Sequence, residues 1–335
     1  MRRTVLSSLA AAALVLGSGQ LASAESTAQT PPAGDSSTVS KTAELAGGEG
    51  VDSRRAALEV EKYWTAERMA QAIPADNFLP APPGSGKGSA RKAGPTGKPG
   101  TTPAAAPAKK SKTGARVADS AAVGKVFFKN PADGKNYVCS AASINSPSKQ
   151  MVTTAGHCVN GGGTNGTAGQ WMQNWTYVPR YRDGVRPFGT FAAKQFRTFT
   201  SWTNNSDLAR DVAMVTTWPL NNNKVVNVTG GHGLSWNFSQ NQATTVFGYP
   251  GNHNNGQVQW VCQGTTRAAG ASYSELQCNF GGGSSGGPWL RTYSEANGLG
   301  SQNGVMSTIS GGGWNQTPYF DNAVKQMFDD QGSVT

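Results

Sequence analysis

From about Val117 to the C-terminus the chain is a succession of short β-rich runs separated by Gly, Asn and Pro turns, at 123–128, 137–143, 150–154, 212–217, 244–249, 257–263 and 304–309. Runs of this length and spacing suit an all-β sandwich or barrel. They leave no room for a helical bundle, whose composition leans on Ala, Glu, Lys and Leu. One terminal helix is expected, with Asp321 as its cap and Val324, Met327 and Phe328 along one face. Nine Trp, twelve Phe and eight Tyr argue against wholesale disorder, which needs few aromatics.

All four cysteines fall in this region: Cys139, Cys158, Cys262 and Cys278. An even count in an exported chain implies disulfides, and four cysteines allow three pairings. Sequential pairing closes two short loops, each stabilising by about 3 kcal/mol in the chain-entropy account. A zinc site is disfavoured, because no Cys-x-x-Cys occurs. No metal or cofactor is expected.

The N-terminus reads as an address. Arg2-Arg3 precede an apolar stretch from Leu9 to Leu16, and Ala22-Ser23-Ala24 fits the small-residue cleavage pattern. This is the form of a secretory signal peptide over residues 1–24. No apolar run reaches the roughly 18–20 residues of a membrane-spanning helix. The expected location is extracellular, where disulfides persist.

The formal charge of +10 suggests a nucleic-acid binder until its distribution is read. Residues 25–86 carry −4 and residues 117–335 carry +4. The stretch 87–116 holds eight basic groups and no acid, and it is rich in Pro, Gly and Ala. That composition buries no core and reads as a linker. Nucleic acid is therefore not expected as a partner. Residues 25–86 read as a pro-segment with a helical piece over 52–73. Asp52 or Ser53 can cap it, Val60 and Trp64 share one face, as do Met69 and Ile73, Thr65 can restart it and Pro74 ends it.

Three residues carry chemistry. His157 stands in Thr154-Ala155-Gly156-His157-Cys158, just after an apolar run. Rigid placement beside a possible disulfide suits a general base. Asp211 heads the run Asp211-Val212-Ala213-Met214-Val215, and a buried carboxylate there needs a partner. Ser285 lies in Gly281-Gly282-Gly283-Ser284-Ser285-Gly286-Gly287-Pro288. Glycines around a nucleophile permit the backbone angles that turn N–H groups inward, so Gly283 and Ser285 would supply an oxyanion hole. Asp207 competes with Asp211, and Ser284 with Ser285. His232 and His253, in Gly/Asn-rich loops, are expected to be exposed.

These motifs, TAGHC, DVAMV and GSSGGP in the order His, Asp, Ser, resemble the chymotrypsin-like (trypsin-like) serine proteases. The secreted actinobacterial members near the glutamyl-endopeptidase branch are the more similar ones. Gly248-Tyr249-Pro250-Gly251, the stretch Cys278 to Ser285, and Tyr63-Trp64-Thr65 with Ile73-Pro74 fit that branch. The resemblance implies a double β-barrel over residues 117–335 with a cleft between the barrels, a disulfide flanking the His, and His157 as base, Asp211 as its orienting acid and Ser285 as nucleophile. It also implies a primary pocket lined by Asn279, Phe280 and Ser307. The implied protein is a monomeric secreted endopeptidase acting on proteins or peptides. Its pro-segment would serve as intramolecular chaperone or inhibitor.

The chain departs from the family at two places. Ser284 stands where trypsin-like animal enzymes carry an Asp that pairs with the new N-terminus, so pro-segment removal, expected near Arg116, does not create that ion pair. The position six before Ser285 is Asn279 rather than Asp, and no His follows Ser285. A neutral pocket is expected, not one selective for Lys/Arg or Glu. Two rival classes, a non-catalytic binding or adhesion protein on the same fold and an esterase-like serine hydrolase, are separable by fluorophosphonate labelling and substrate profiling.

Overall fold

A computed structural model describes residues 36–78, 97–108 and 119–335. The stretch read as signal peptide and the region of Arg116 lie outside the described residues. No helix among the described residues is long and apolar enough to cross a membrane.

The N-terminal part supplies strand β1 (Thr38–Thr42), helices α1 (Arg54–Tyr63) and α2 (Ala66–Gln71), and the two-residue strand β2 (Ile73–Pro74). Each helix starts at a hydroxyl cap. Ser53 Oγ accepts from the Ala56 N–H, and Thr65 Oγ1 from the Arg68 N–H. Each cap satisfies one orphan donor of a first turn. Val60, Trp64 and Met69 are buried. Ile73 does not share the helix face of Met69: the backbone is already extended at Ala72, and Pro74 disfavours helix at the residue before it.

Beyond these, Gly100–Thr101 form β3, followed by β4 (Val123–Lys129), β5 (Asn136–Ser143), β6 (Met151–Thr154), β7 (Gln173–Pro179) and β8 (Phe191–Phe199). Next come α3 (Thr200–Asn205), β9 (Ala213–Thr217), α4 (Val225–Thr229), β10 (Gly233–Trp236), β11 (Ala243–Gly248) and β12 (Trp260–Thr265). The chain ends with β13 (Arg267–Ala268), β14 (Tyr273–Gln277), β15 (Pro288–Ser294), β16 (Leu299–Val305), β17 (Thr308–Ser310), β18 (Trp314–Pro318) and α5 (Asn322–Gly332).

Strands β4 to β9 close into a six-stranded barrel, because β8 pairs with β7 near its start and with β9 along most of its length. Inward-facing Val126, Trp175, Tyr177 and Phe196 fill it. The second body joins a six-stranded sheet, β12-β11-β15-β16-β10-β3, to a four-stranded sheet, β13-β14-β18-β17. Val246, Leu276, Phe280, Trp289 and Met306 form a core between them. The architecture is the expected double β-barrel with a short C-terminal helix. Asp321 caps α5 by accepting from the Ala323 and Val324 N–H groups, and Val324, Met327 and Phe328 are buried. Cys139 bonds to Cys158 and Cys262 to Cys278.

Part of the basic Pro/Gly/Ala stretch, residues 97–108, lies on the second body. β3 pairs with β10, Thr102 N–H donates to Leu234 O, and Ala105 and Gly231 exchange backbone bonds. A segment with few side chains for a core is held here through its backbone.

Candidate active site

The antiparallel pairing of β6 with β9 sets Thr154 opposite Ala213. The turn after β6 therefore meets the turn before β9, and these carry His157 and Asp211. Asp211 Oδ1 accepts from the His157 backbone N–H at 2.8 Å, and Oδ2 from the His157 Nδ1 at 2.9 Å. Oδ2 also accepts from Ser307 Oγ at 2.6 Å. Both His157 and Asp211 are fully buried, and these donors offset the desolvation of the carboxylate. Gly156 makes the approach possible: a Cβ there would lie 3.0 Å from Asp211 Oδ1 and from the Trp202 ring. Burial by itself lowers the His157 pKa. The charge and hydrogen bond of Asp211, with a further contribution from the Asp76 carboxylate, outweigh it and hold the imidazole above its ordinary value.

Ser285 enters from the second body, in the turn before β15. That turn is tied to β5, where Ser140 N–H donates to Ser285 O at 2.7 Å and Ser140 Oγ donates to Gly283 O at 2.9 Å. The neighbouring Cys139 is bonded to Cys158, next to His157, so two adjacent residues of β5 position both sides of the site. The turn requires glycine at two points. Gly283 has φ +90 and Gly286 has φ +80, and a Cβ at Gly286 would come within 2.1 Å of Thr154 Oγ1. Ser284, the rival serine, spends its hydroxyl on Gly281 O at 2.7 Å. The rival acid, Asp207, caps the short turn 208–210 through the Ala209 N–H.

One residue that sequence reasoning did not single out lies at the centre. The carboxylate of Asp76, just after β2, accepts from Ser285 Oγ through Oδ1 at 2.5 Å and from the Gly283 N–H through Oδ2 at 2.7 Å. No motif marks Asp76, and 209 residues separate it from Ser285.

The residues expected to line the pocket divide. Asn279, at φ +53, lies six residues before Ser285. Its carbonyl accepts from Asn252 Nδ2 and bonds His253 Nε2. The Phe280 ring is buried in the second core, and its backbone exchanges bonds with the Asn315 amide. The Ser307 side chain is buried and turned to Asp211. The two cations after Ser285 are engaged elsewhere: Arg291 lies over Phe238, and Lys325 pairs with Asp329. The expectation that His232 and His253 are exposed is corrected. His232 is fully buried, because it pairs beside Ile144 at the end of β5. Burial lowers its pKa to about 3, and the neutral ring accepts from the Gly300 N–H through Nδ1. His253 is half-buried, stacked on Trp260 with ring centres 4.4 Å apart.

No family model and no curated protein sequence matches the chain. Solved structures do. The protease Anisep from Arthrobacter nicotinovorans is 31% identical, over a match covering 65% of this chain and 98% of that one, with a TM-score of 0.59. The thermostable serine protease AL20 from an extremophilic microorganism is 31% identical over 64% of this chain and 99% of that one, also at 0.59. A Glu endopeptidase in complex with MPD is similar in fold, with 18% identity, 67% and 96% coverage and a TM-score of 0.52.

Proposed function

The chain belongs to the chymotrypsin-like serine proteases, and on that premise we propose that it is a secreted serine endopeptidase made as a pre-pro-protein. Residues 1–24 are the signal peptide, 25–86 the pro-segment, 87–116 the linker and 117–335 the protease domain. Ser285 is the nucleophile. His157 takes its proton as general base and returns it to the leaving amine as general acid. Asp211 holds the imidazole in the tautomer with the proton on Nδ1 and stabilises the imidazolium as it forms. Ser307 positions Asp211. The N–H groups of Gly283 and Ser285 receive the negative oxygen of the tetrahedral intermediate. The acyl-enzyme on Ser285 is then released by water.

The observation that carries this reading is the double anchorage of the buried Asp211 on His157, with Ser307 as a third donor. A carboxylate buried at this cost and aimed at one imidazole has a clear chemical use. The Gly283 N–H and Ser285 Oγ, converging on one anion, support the oxyanion assignment. The primary pocket, approached past Asn279, takes uncharged side chains.

The test is Ser285→Ala in the mature enzyme. Peptide hydrolysis should fall by about a million-fold, with thermal unfolding unchanged and fluorophosphonate labelling abolished. Hydrolysis retained by the purified variant refutes the assignment. A peptide-library digest with the wild-type mature enzyme reads the pocket preference directly.

A further inference from the structure

We infer that the oxyanion site of the precursor holds a carboxylate ligand supplied by its own chain, and that Asp76 is the residue through which the pro-segment switches the protease off. The inference rests on the role just proposed for Ser285.

The contact is specific to the reacting atoms. The Ser285 hydroxyl donates to Asp76 Oδ1, so its proton is directed to a carboxylate and away from the base. The Gly283 N–H, needed for the intermediate's negative oxygen, is taken by Oδ2. Both groups are thereby removed from chemistry by one side chain. The group in the site is also not a substrate. A carboxylate is already anionic and resonance-stabilised, so it is a poor electrophile and carries no leaving amine. The plug is held at the nucleophile without offering it a bond to cleave.

The neighbouring backbone fixes the plug. β2 pairs in parallel with β5, Ile73 opposite Tyr137 and Pro74 opposite Val138, immediately before Cys139 and Ser140. Gly282 leaves the needed space: a Cβ there would meet Pro74 Cβ at 2.9 Å and Asp76 Oδ2 at 3.0 Å. Upstream, β1 adds five residues antiparallel to β8. Trp64 is buried against Phe127, with Nε1–H donating to Asn174 O at 2.5 Å. Tyr63 Oη donates to Asn136 Oδ1, and Trp218 Nε1–H donates to Val51 O. The segment is thus anchored on the first barrel and delivers its carboxylate to a site completed by the second.

The test compares fluorophosphonate labelling rates of intact full-length precursor, read by mass on the uncleaved chain, for wild type, Asp76→Ala and Asp76→Asn. The mature enzyme is labelled alongside. Wild-type precursor should label at least tenfold more slowly than mature enzyme, and Asp76→Ala precursor at least tenfold faster than wild-type precursor. Asp76→Asn keeps the size and removes the charge, and it should also label faster than wild type. It guards against a folding defect in the Ala variant. If mature enzyme labels rapidly while both variant precursors stay as slow as wild type, Asp76 is not the plug. If wild-type precursor labels as fast as mature enzyme, there is no plug at all. If mature enzyme itself fails to label, the assignment of Ser285 falls and takes the inference with it.

Discussion

Trp64→Ala tests whether the N-terminal segment is clamped to the first barrel as a unit. Trp64 is 1% exposed, its ring centre is 5.5 Å from that of Phe127, and its indole N–H donates to the Asn174 carbonyl. Truncating a buried Trp to Ala costs about 3–5 kcal/mol. The Asn174 carbonyl loses its indole donor in the same step. If residues 36–78 open separately from the barrel, the whole cost falls on the opening equilibrium, as expected for a locally unfolding unit. At about 1.4 kcal/mol per decade, the open population rises by roughly 140-fold to 3,700-fold. Native-state hydrogen exchange of the full-length precursor reads this directly. The reporters are those amides of Gln195–Phe199 in β8 that face β1. Their protection should drop by that factor, while amides of β4 and β5 in the barrel wall keep theirs. The protease domain without residues 25–116, the mature form proposed above, lacks Trp64 and supplies the fully open reference. Unchanged protection at β8 in the folded variant would refute the clamp. Equal loss across β4, β5 and β8 would show that the segment and barrel unfold together.

Two further predictions concern pH. His157 is held above its ordinary 6.5 chiefly by Asp211, and in the proposed reaction only the neutral imidazole can accept the Ser285 proton. Asp211 stays when the pro-segment and its Asp76 leave, so the main raising cause persists and the kcat/KM of the mature enzyme should rise with pH through a midpoint above 6.5; a midpoint at or below that value in a pH–rate profile contradicts this reasoning. Lys125, buried in β4 with its ammonium on Gly256 O, has its pKa lowered from 10.5 to about 8 by burial. Between about pH 8 and 10.5 this site binds more protons in the unfolded chain than in the folded one, so Lys125 by itself makes stability rise with pH across that window, while the buried tyrosines, whose hydroxyls burial holds protonated, act the other way toward its upper end. Urea unfolding of wild type and Lys125→Met at the two ends isolates this contribution: wild type should gain stability relative to the variant from about pH 8 to 10.5, and a constant difference refutes it.

The candidate chemistry was legible because it sits in short motifs whose local backbone the sequence dictates. The glycines around Ser285 read as turn residues, and Asp211 as a carboxylate at the head of an apolar strand. The strand runs at 123–128, 137–143 and 212–217 read clearly for the same local reason. Strands β10, β14, β15 and β18 are not among the runs read from the sequence, and neither are β7 and β8. Their pairing is irregular, with a register shift between Ala193 and Gln195, and Lys194 and Gln195 interrupt an apolar run. Ser307 was read as a pocket residue. Its hydroxyl turns to Asp211 because β16 and β17 bring it beside a carboxylate 96 positions away. His232 looked exposed in its Gly-rich context, and pairing beside Ile144 buried it.

Sequence alone marked the all-β texture, the helix starts at Asp52 or Ser53, at Thr65 and at Asp321, and the three short motifs that hold the residues of the proposed reaction with their rivals Asp207 and Ser284. Each of these depends on neighbours within a few positions. Tertiary structure alone decided which serine hydroxyl is committed to Gly281, which cysteines pair, and which carboxylate meets Ser285 and the Gly283 N–H. Asp76 has no local signature. Its contact with Ser285, 209 positions away, arises only when β2 is laid against β5, because hydrogen bonds act over about 3 Å of space whatever the length of chain between their ends.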